Sequence, residues 1–346
     1  MADFTASTKR AAAALEEGRT EEALAILNEV LATTDDLDAA LLRSEALVLL
    51  DRWEEAEESL NAAAEKYPGN PAVQLAMADL IVDFHPDDAA AIREALALAT
   101  RAESLAMKAA AGRELIGELR LVKGRALAML GDPRAAVEAF ESARPLLGDD
   151  PDLLTELGMS QFEALDFRRA RELFSRLVTE NPDDARVHHY LGLLDERDGK
   201  VEEAERHFRR ACAIDPDEFP APIRLSEEEF ERVVEAALEG LPDRVRKYIE
   251  DVPLLVEDIP EVDDLRGDPP LSPLSLGMFR GHPGLDRSHF DPWSQLPSSI
   301  VLYQKNLERY AGSREELIDE IETTVLHEVG HYLGWDEQDL YERGLD

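Results

Sequence analysis

Three small residues, Ala136, Ala170 and Ala204, stand a strict 34 positions apart, and each is followed four residues later by an aromatic ring, Phe140, Phe174 or Phe208. A turn-type position precedes each one: Gly131, Leu165 and Gly199. About two helical turns upstream of the last two of these lie Leu157 and Gly158, then Leu191 and Gly192. The pattern also runs earlier in the chain, as Gly18, Ala23 and Leu27, and again as Asp51, Ala56, Leu60, Ala63 and Pro68. A fixed period of this length calls for helix pairs. The small residue lets two antiparallel helices approach, Gly or Asp turns the chain, and Pro blocks continuation. No single pair can bury its apolar face alone, so neighbours must stack into a quasi-linear core. The high Ala, Leu, Glu and Arg usage suits this, because these residues lose little freedom in a helix.

These residues resemble the tetratricopeptide repeat over roughly residues 4–218. Five repeats read clearly. The stretch 71–116 is irregular, broken by Phe84, His85, Pro86, Asp87 and Asp88, and is read as a degenerate repeat. The resemblance implies an all-α helical solenoid over residues 1–218 that binds a protein or peptide partner.

The formal charge is −38, from 37 Lys and Arg against 75 Asp and Glu. A nucleic-acid backbone is bound by clustered Lys and Arg that release counterions, so nucleic acid is excluded as a partner, and anionic membrane surfaces with it. The charge keeps an exposed helical array in solution, and a basic partner or substrate is its sharper implication. A lone Cys212 rules out an intramolecular disulfide and is expected as a small buried hydrophobe. Without a targeting segment or a run of eighteen apolar residues, the expected address is the cytoplasm.

The repeat pattern stops near Pro216, and a linker marked by Pro220 and Pro222 follows. Ser226 and Glu229 form a capping box that opens an amphipathic helix through about Leu238. Strands are expected at Val252–Val256, Leu274–Phe279 and Ile300–Tyr303, the last offering an edge against which a peptide could pair. A second capping box at Ser313 and Glu316 starts a helix that should run to about Leu333. Residues 219–346 are therefore expected to form a small α+β domain.

That last helix carries the chemistry, as His327-Glu328-x-x-His331-x-x-Gly334-x-x-Glu337. Histidines four apart project from one face and can share a metal, while the glutamate after the first can act as general base on a metal-bound water. An apolar stripe of Leu317, Ile318, Ile321, Val325, Val329 and Tyr332 faces the core. A hydrolytic zinc site wants a third protein ligand. Gly334 can take the left-handed conformation that ends a helix and returns the chain, which would bring Glu337 toward the histidines. Asp336 and Asp339 compete for the same role.

From Leu225 to Asp346 the sequence resembles the bacterial minimal zincins, in the stretches around Phe230–Val234, Val256–Pro260, Leu276–Pro283, Ile300–Tyr303 and Val325–Gly334. The resemblance implies a compact zincin-like core, zinc on His327, His331 and an acidic residue at 337, and a catalytic Glu328. Two departures stand out: Glu rather than the commoner Asp at 337, and no following Met-turn. The reading is a zinc-dependent peptidase whose repeats bind partner or substrate proteins. Its alternatives are an interaction scaffold with a catalytically silent metal-binding module, and a hydrolase of non-peptide amides. His282, His289, Tyr303 and Tyr310 are secondary candidates for oxyanion contacts, with loop surface and packing as their expected roles. His188, His189 and His207 are expected to be partly exposed on repeat helices.

Overall fold

Five helices of the repeat region stop where the chain turns left-handed. The computed structural model describes residues 4–241, 243–250, 252–267, 270–281, 299–335 and 339. It runs through α1 (Phe4–Glu16), α2 (Thr20–Leu31), α3 (Leu37–Leu49), α4 (Trp53–Lys66), α5 (Pro71–Phe84) and α6 (Ala89–Lys108). There follow α7 (Arg113–Met129), α8 (Pro133–Leu147), α9 (Pro151–Glu163), α10 (Phe167–Glu180), α11 (Ala185–Arg197) and α12 (Val201–Ile214). The five turn positions read from the sequence, Gly18, Asp51, Gly131, Leu165 and Gly199, all have φ between 57° and 74°. Each uses the same pair of bonds. At Gly199, for example, its own N–H donates to Glu196 O at 2.9 Å, and Lys200 N–H donates to Asp195 O at 2.9 Å. This double closure satisfies carbonyls that the helix end leaves orphaned.

The period also sets the packing. A Cβ on Gly124 would lie 2.5 Å from the Phe140 ring, and one on Gly192 would lie 2.7 Å from Phe208, so each glycine is the socket for an aromatic ring. Ala136, Ala170 and Ala204 are buried beside them. Residues 71–116 hold the α5–α6 hairpin and the start of α7. The sequence break at 84–88 is its turn, and Asp88 caps α6 by accepting from Ala90 N and Ala91 N. Asp36, Asn70, Asp150 and Asp184 cap α3, α5, α9 and α11 in the same way, so part of the acidic excess serves helix starts. Cys212 is half-buried rather than fully enclosed. Among the described residues no helix is long and apolar enough to cross a membrane.

The chain divides into two compact units, Met1–Leu173 and Phe174–Asp346. The expected boundary at 218/219 lies inside the second. Within that unit, α11 and α12 are followed by α13 (Glu227–Gly240), α14 (Asp243–Ile249), β1 (Leu254–Glu257), α15 (Val262–Leu265), β2 (Gly277–Arg280), β3 (Ser299–Tyr303), α16 (Gln304–Tyr310) and α17 (Arg314–Tyr332). The capping box of α13 forms with both of its bonds. At α17, Ser313 Oγ accepts from Glu316 N, but the Glu316 carboxylate reaches Gly312 N rather than Ser313 N. The three strands form one sheet in the order β1-β3-β2, with β1 parallel and β2 antiparallel to β3. The expectation that Ile300–Tyr303 offers a free edge is thus corrected. That strand is wholly buried between two neighbours, and its five consecutive buried residues, covered on both faces, suit a central position. One face of the sheet packs Ile300, Leu302 and Phe279 against Val325, Ile321 and Leu317 of α17 and Phe230, Val233 and Ala237 of α13.

The last repeat hairpin is bonded to this module. Arg309 on α16 is buried and donates to Glu196 of α11 at 2.6 Å, with its guanidinium 5.4 Å from the centroid of Phe208 on α12. Lys305 bridges to Asp258 at 2.8 Å, Arg197 donates to Pro260 O at 2.8 Å, and Arg224 reaches Glu205 at 2.6 Å. Ile223 N–H donates to Glu308 O at 3.0 Å, fixing the Pro-marked linker. His189 sits among Phe219, Phe208 and Tyr190. Burial first, and then Arg309, push its imidazole pKa down to about 4.

Removing one partner of a buried pair leaves the other charge uncompensated. Glu196→Ala should therefore lower stability by about 3–5 kcal/mol in urea unfolding, while Glu196→Leu combined with Arg309→Met should recover most of the loss. A cost of Glu196→Ala too small to measure would sever Arg309 from this role. His189 gives a pH signature as well. Below about pH 6.5 the unfolded chain protonates this histidine, whereas the folded chain does so only near 4. In that window the unfolded state binds more protons, so stability falls as pH drops. The urea midpoint should fall more between pH 6.5 and pH 4.5 in the wild type than in His189→Phe; parallel curves would contradict it.

Candidate metal centre

The helix that bears the motif is positioned by its own apolar stripe. Leu317, Ile321, Val325 and Val329 of α17 are buried, and Ile318 is packed against the same core. Gly277 at the start of β2 lies so close to α17 that a Cβ there would meet Thr324 Cγ2 at 2.6 Å, which pins the helix to the sheet. Two residues round the helix from Val325 and Val329, His327 and His331 emerge half-buried on a shared face.

Their rings meet at the Nε2 atoms, 3.1 Å apart, with planes inclined at 79°. Bonds of about 2.0–2.1 Å, typical of zinc to imidazole, would subtend an angle of about 100° across that separation, close to tetrahedral. His331 Nδ1 lies 3.2 Å from Trp335 O. A carbonyl can only accept, so this contact places the proton on Nδ1 and leaves the Nε2 lone pair to ligate. The donor set therefore fits a metal. Glu328, between the two histidines, is only 6 % exposed.

The turn after α17 makes the Trp335 contact. Leu333 is the C-cap, Gly334 has φ of 85°, Gly334 N–H donates to His331 O at 3.0 Å, and Trp335 N–H donates to Gly330 O at 3.0 Å. The left-handed return expected at Gly334 is present, and it swings the Trp335 carbonyl back under the second histidine. Glu337 and Asp336 lie outside the described residues, as do His282 and His289. Among the described residues no group of three His, Cys, Asp or Glu side chains gathers that could hold a metal ion. Tyr310 is 68 % exposed, away from any enclosed site.

Tyr303 is packed, as expected, but its polar end is left over. It is fully buried, and its hydroxyl has no hydrogen-bond partner among the described residues. Burial raises its pKa above the usual phenol range, and the carboxylates of Asp264, Glu257 and Glu328 push in the same direction. Beside it Arg280 of β2 donates to Glu257 at 3.1 Å and to Asp264 at 2.8 Å, which hold its guanidinium charged. The sequence signal for this group is an arginine that closes the otherwise apolar strand β2.

Comparison with known families and structures agrees with both halves of the chain. Residues 249–345 match the zincin-like metallopeptidase family, and residues 14–80 and 155–219 match tetratricopeptide repeat families. No curated protein sequence matches. Among solved structures, Pseudomonas aeruginosa PilF is 16% identical with a TM-score of 0.51, over 67% of this chain and 97% of that one. PilW, a type IV pilus biogenesis factor, is 17% identical with a TM-score of 0.52, over 67% of this chain and 99% of that one. A chain of the Cut9–Hcn1 assembly is 14% identical with a TM-score of 0.52, over 62% of this chain and 40% of that one. These likenesses establish the helical repeat fold.

A Cβ at Gly334 would meet nothing within 4 Å, so Gly334→Ala isolates the backbone term. It should cost about 1–2 kcal/mol, and Gly334→Asn less, in urea unfolding. In the metal-free protein, nitrogen NMR should find His331 protonated at Nδ1 in the wild type and mixed between tautomers in Gly334→Ala. A wild-type Nε2–H tautomer would overturn the Trp335 contact.

Proposed function

We propose that the C-terminal module, residues 219–346, is a zinc-dependent peptidase, and that the repeat array over residues 1–218 binds its protein partner or substrate. The observation that carries this reading is the convergence of the His327 and His331 Nε2 atoms at 3.1 Å, with Glu328 buried between them in sequence and His331 oriented by Trp335 O. The match of residues 249–345 to a metallopeptidase-like family supports it.

In this reading His327, His331 and Glu337 hold the zinc. When bound, the metal lowers the pKa of water and polarises the scissile carbonyl. Glu328 takes the proton from the attacking water and delivers it to the leaving amine, a role that needs a carboxylate beside the ligands but not on the metal. Its enclosure keeps bulk water from competing for that proton. The stripe of α17 on the sheet fixes where the two histidines stand, and the turn at Gly334 fixes how the second one faces.

Digestion of a peptide library with and without chelator tests the reaction. Glu328→Gln should lower chelator-sensitive cleavage by about 10²–10⁴-fold with zinc content unchanged. Glu337→Ala should lose zinc, whereas Asp336→Ala and Asp339→Ala should retain it. Zinc retained in Glu337→Ala would reassign the third ligand. If wild type and Glu328→Gln cleave equally, the activity does not arise at this site. Zinc bound without any cleavage would leave a metal-stabilised interaction scaffold.

A further inference from the structure

The sheet leaves β1 at an edge, and the surroundings of that edge describe what it can take. The Ile300 N–H donates to Pro253 O at 3.0 Å, and the parallel register pairs Leu254 with Ile300. Backbone groups alternate along a parallel strand, so Leu255 and Glu257 turn theirs toward β3, and Leu254 and Val256 turn theirs outward. Among the described residues no strand covers that outer side. Leu255 and Val256 are 40 % and 37 % exposed, an apolar edge of the kind that proteins ordinarily blunt with lysine, proline or a covering loop.

The edge opens into a groove of about 960 Å³, walled by α12 and α13. Its charges are not evenly matched. Glu196, Glu205, Glu257, Asp258 and Glu308 are each engaged by Arg309, Arg224, Arg280 or Lys305. Glu227, Glu231 and Glu235 of α13 line the same groove, are exposed, and form no ion pair among the described residues. They stand at four-residue steps, one row along the helix, spaced by about 6 Å. Alternate side chains on an extended strand repeat at nearly that distance, about 6.6 Å.

We propose that the β1 edge is a docking site for an extended, basic segment of another polypeptide, one in which Lys or Arg alternates with apolar residues. The segment adds as a strand to the outward N–H and C=O groups of Leu254 and Val256. Its cations project on the α13 face of the sheet, which Leu254 and Val256 share, and meet the carboxylate row of Glu227, Glu231 and Glu235; its apolar residues project on the other face and cover Leu255. Main-chain bonds supply the affinity and the row supplies the selection. The site lies on the opposite edge of the sheet from β2, which packs against α17, and it does not rest on the peptidase reading.

The probe is a fluorescently labelled octapeptide of alternating Lys and Val, followed by anisotropy at low and physiological salt. It is measured on the full-length wild type and on Glu328→Gln, so that cleavage is not mistaken for release. Three comparisons decide. The triple variant Glu227→Gln, Glu231→Gln and Glu235→Gln should weaken binding by about tenfold. A triple variant with the same charge change on α4, Glu54→Gln, Glu57→Gln and Glu65→Gln, should leave it nearly unchanged. N-methylation of alternate backbone nitrogens in the peptide should weaken it by about tenfold or more, since a strand cannot then pair. Absence of binding at millimolar peptide overturns the proposal. So does equal weakening by the two triple variants, which would reduce the effect to attraction by the whole acidic chain. Indifference to N-methylation would remove the strand and overturn it too.

Discussion

A helix that is followed closely by another must have its last carbonyls satisfied while the backbone turns away. Here one solution recurs. A left-handed residue closes two bonds back into the helix it ends, at Gly18, Asp51, Gly131, Leu165, Gly199 and again at Gly334. In the repeats this turn sets the interval between helices, and so brings Ala136, Ala170 and Ala204 to the points of closest approach. At the end of α17 the same turn has another task, because it delivers the Trp335 carbonyl to His331. The demand is strong enough that Leu165 accepts it at φ of 64°, where a side chain is ordinarily excluded. Helix termination is therefore a shared device of scaffold and site.

What was legible in the sequence is what local chemistry encodes. The small residue at Gly192, the cap at Ser226 and the histidine pair at a four-residue step all concern residues within one helix or one hairpin. In the degenerate stretch 71–116 the residues 84–88 read only as a break, and the structure shows Asp88 capping α6 there. The order of the strands was not legible. Ile300–Tyr303 reads as a strand on composition, but whether it is central or an edge depends on pairings with β1 and β2, which periodicity does not carry. The Arg309–Glu196 pair was hidden for the same reason, since its partners are 113 residues apart and each looks like ordinary surface charge. Tyr303 packs as its strand position implies, but nothing near it in the chain announces that Arg280, Asp264 and Glu328 act on its hydroxyl.

The acidic composition takes on several meanings in the structure. Asp36, Asp88, Asp132, Asp150 and Asp184 are bound to helix N-termini, where a carboxylate satisfies orphaned N–H groups and faces the positive end of the dipole. Glu196, Glu205 and Glu308 neutralise cations between α11, α12, α16 and the linker. Only after these are set aside does a remainder such as Glu227, Glu231 and Glu235 stand out. Net charge speaks only to the sign of a partner; its distribution says which faces are open to a cation.

The contact between Arg309 and Glu196 also bears on how such a chain is assembled over evolutionary time. Recombination joins modules most readily through exposed, Pro-rich linkers, and the segment from Pro216 to Pro222 looks like such a seam. A splice there would give the C-terminal module a foreign last hairpin and leave a buried guanidinium facing whatever that hairpin offers. The unit that can be inherited intact therefore includes α11 and α12. Lineages that lengthen or shorten the array have freedom upstream of this hairpin, and within it they are bound to keep the carboxylate of α11 and the ring of Phe208.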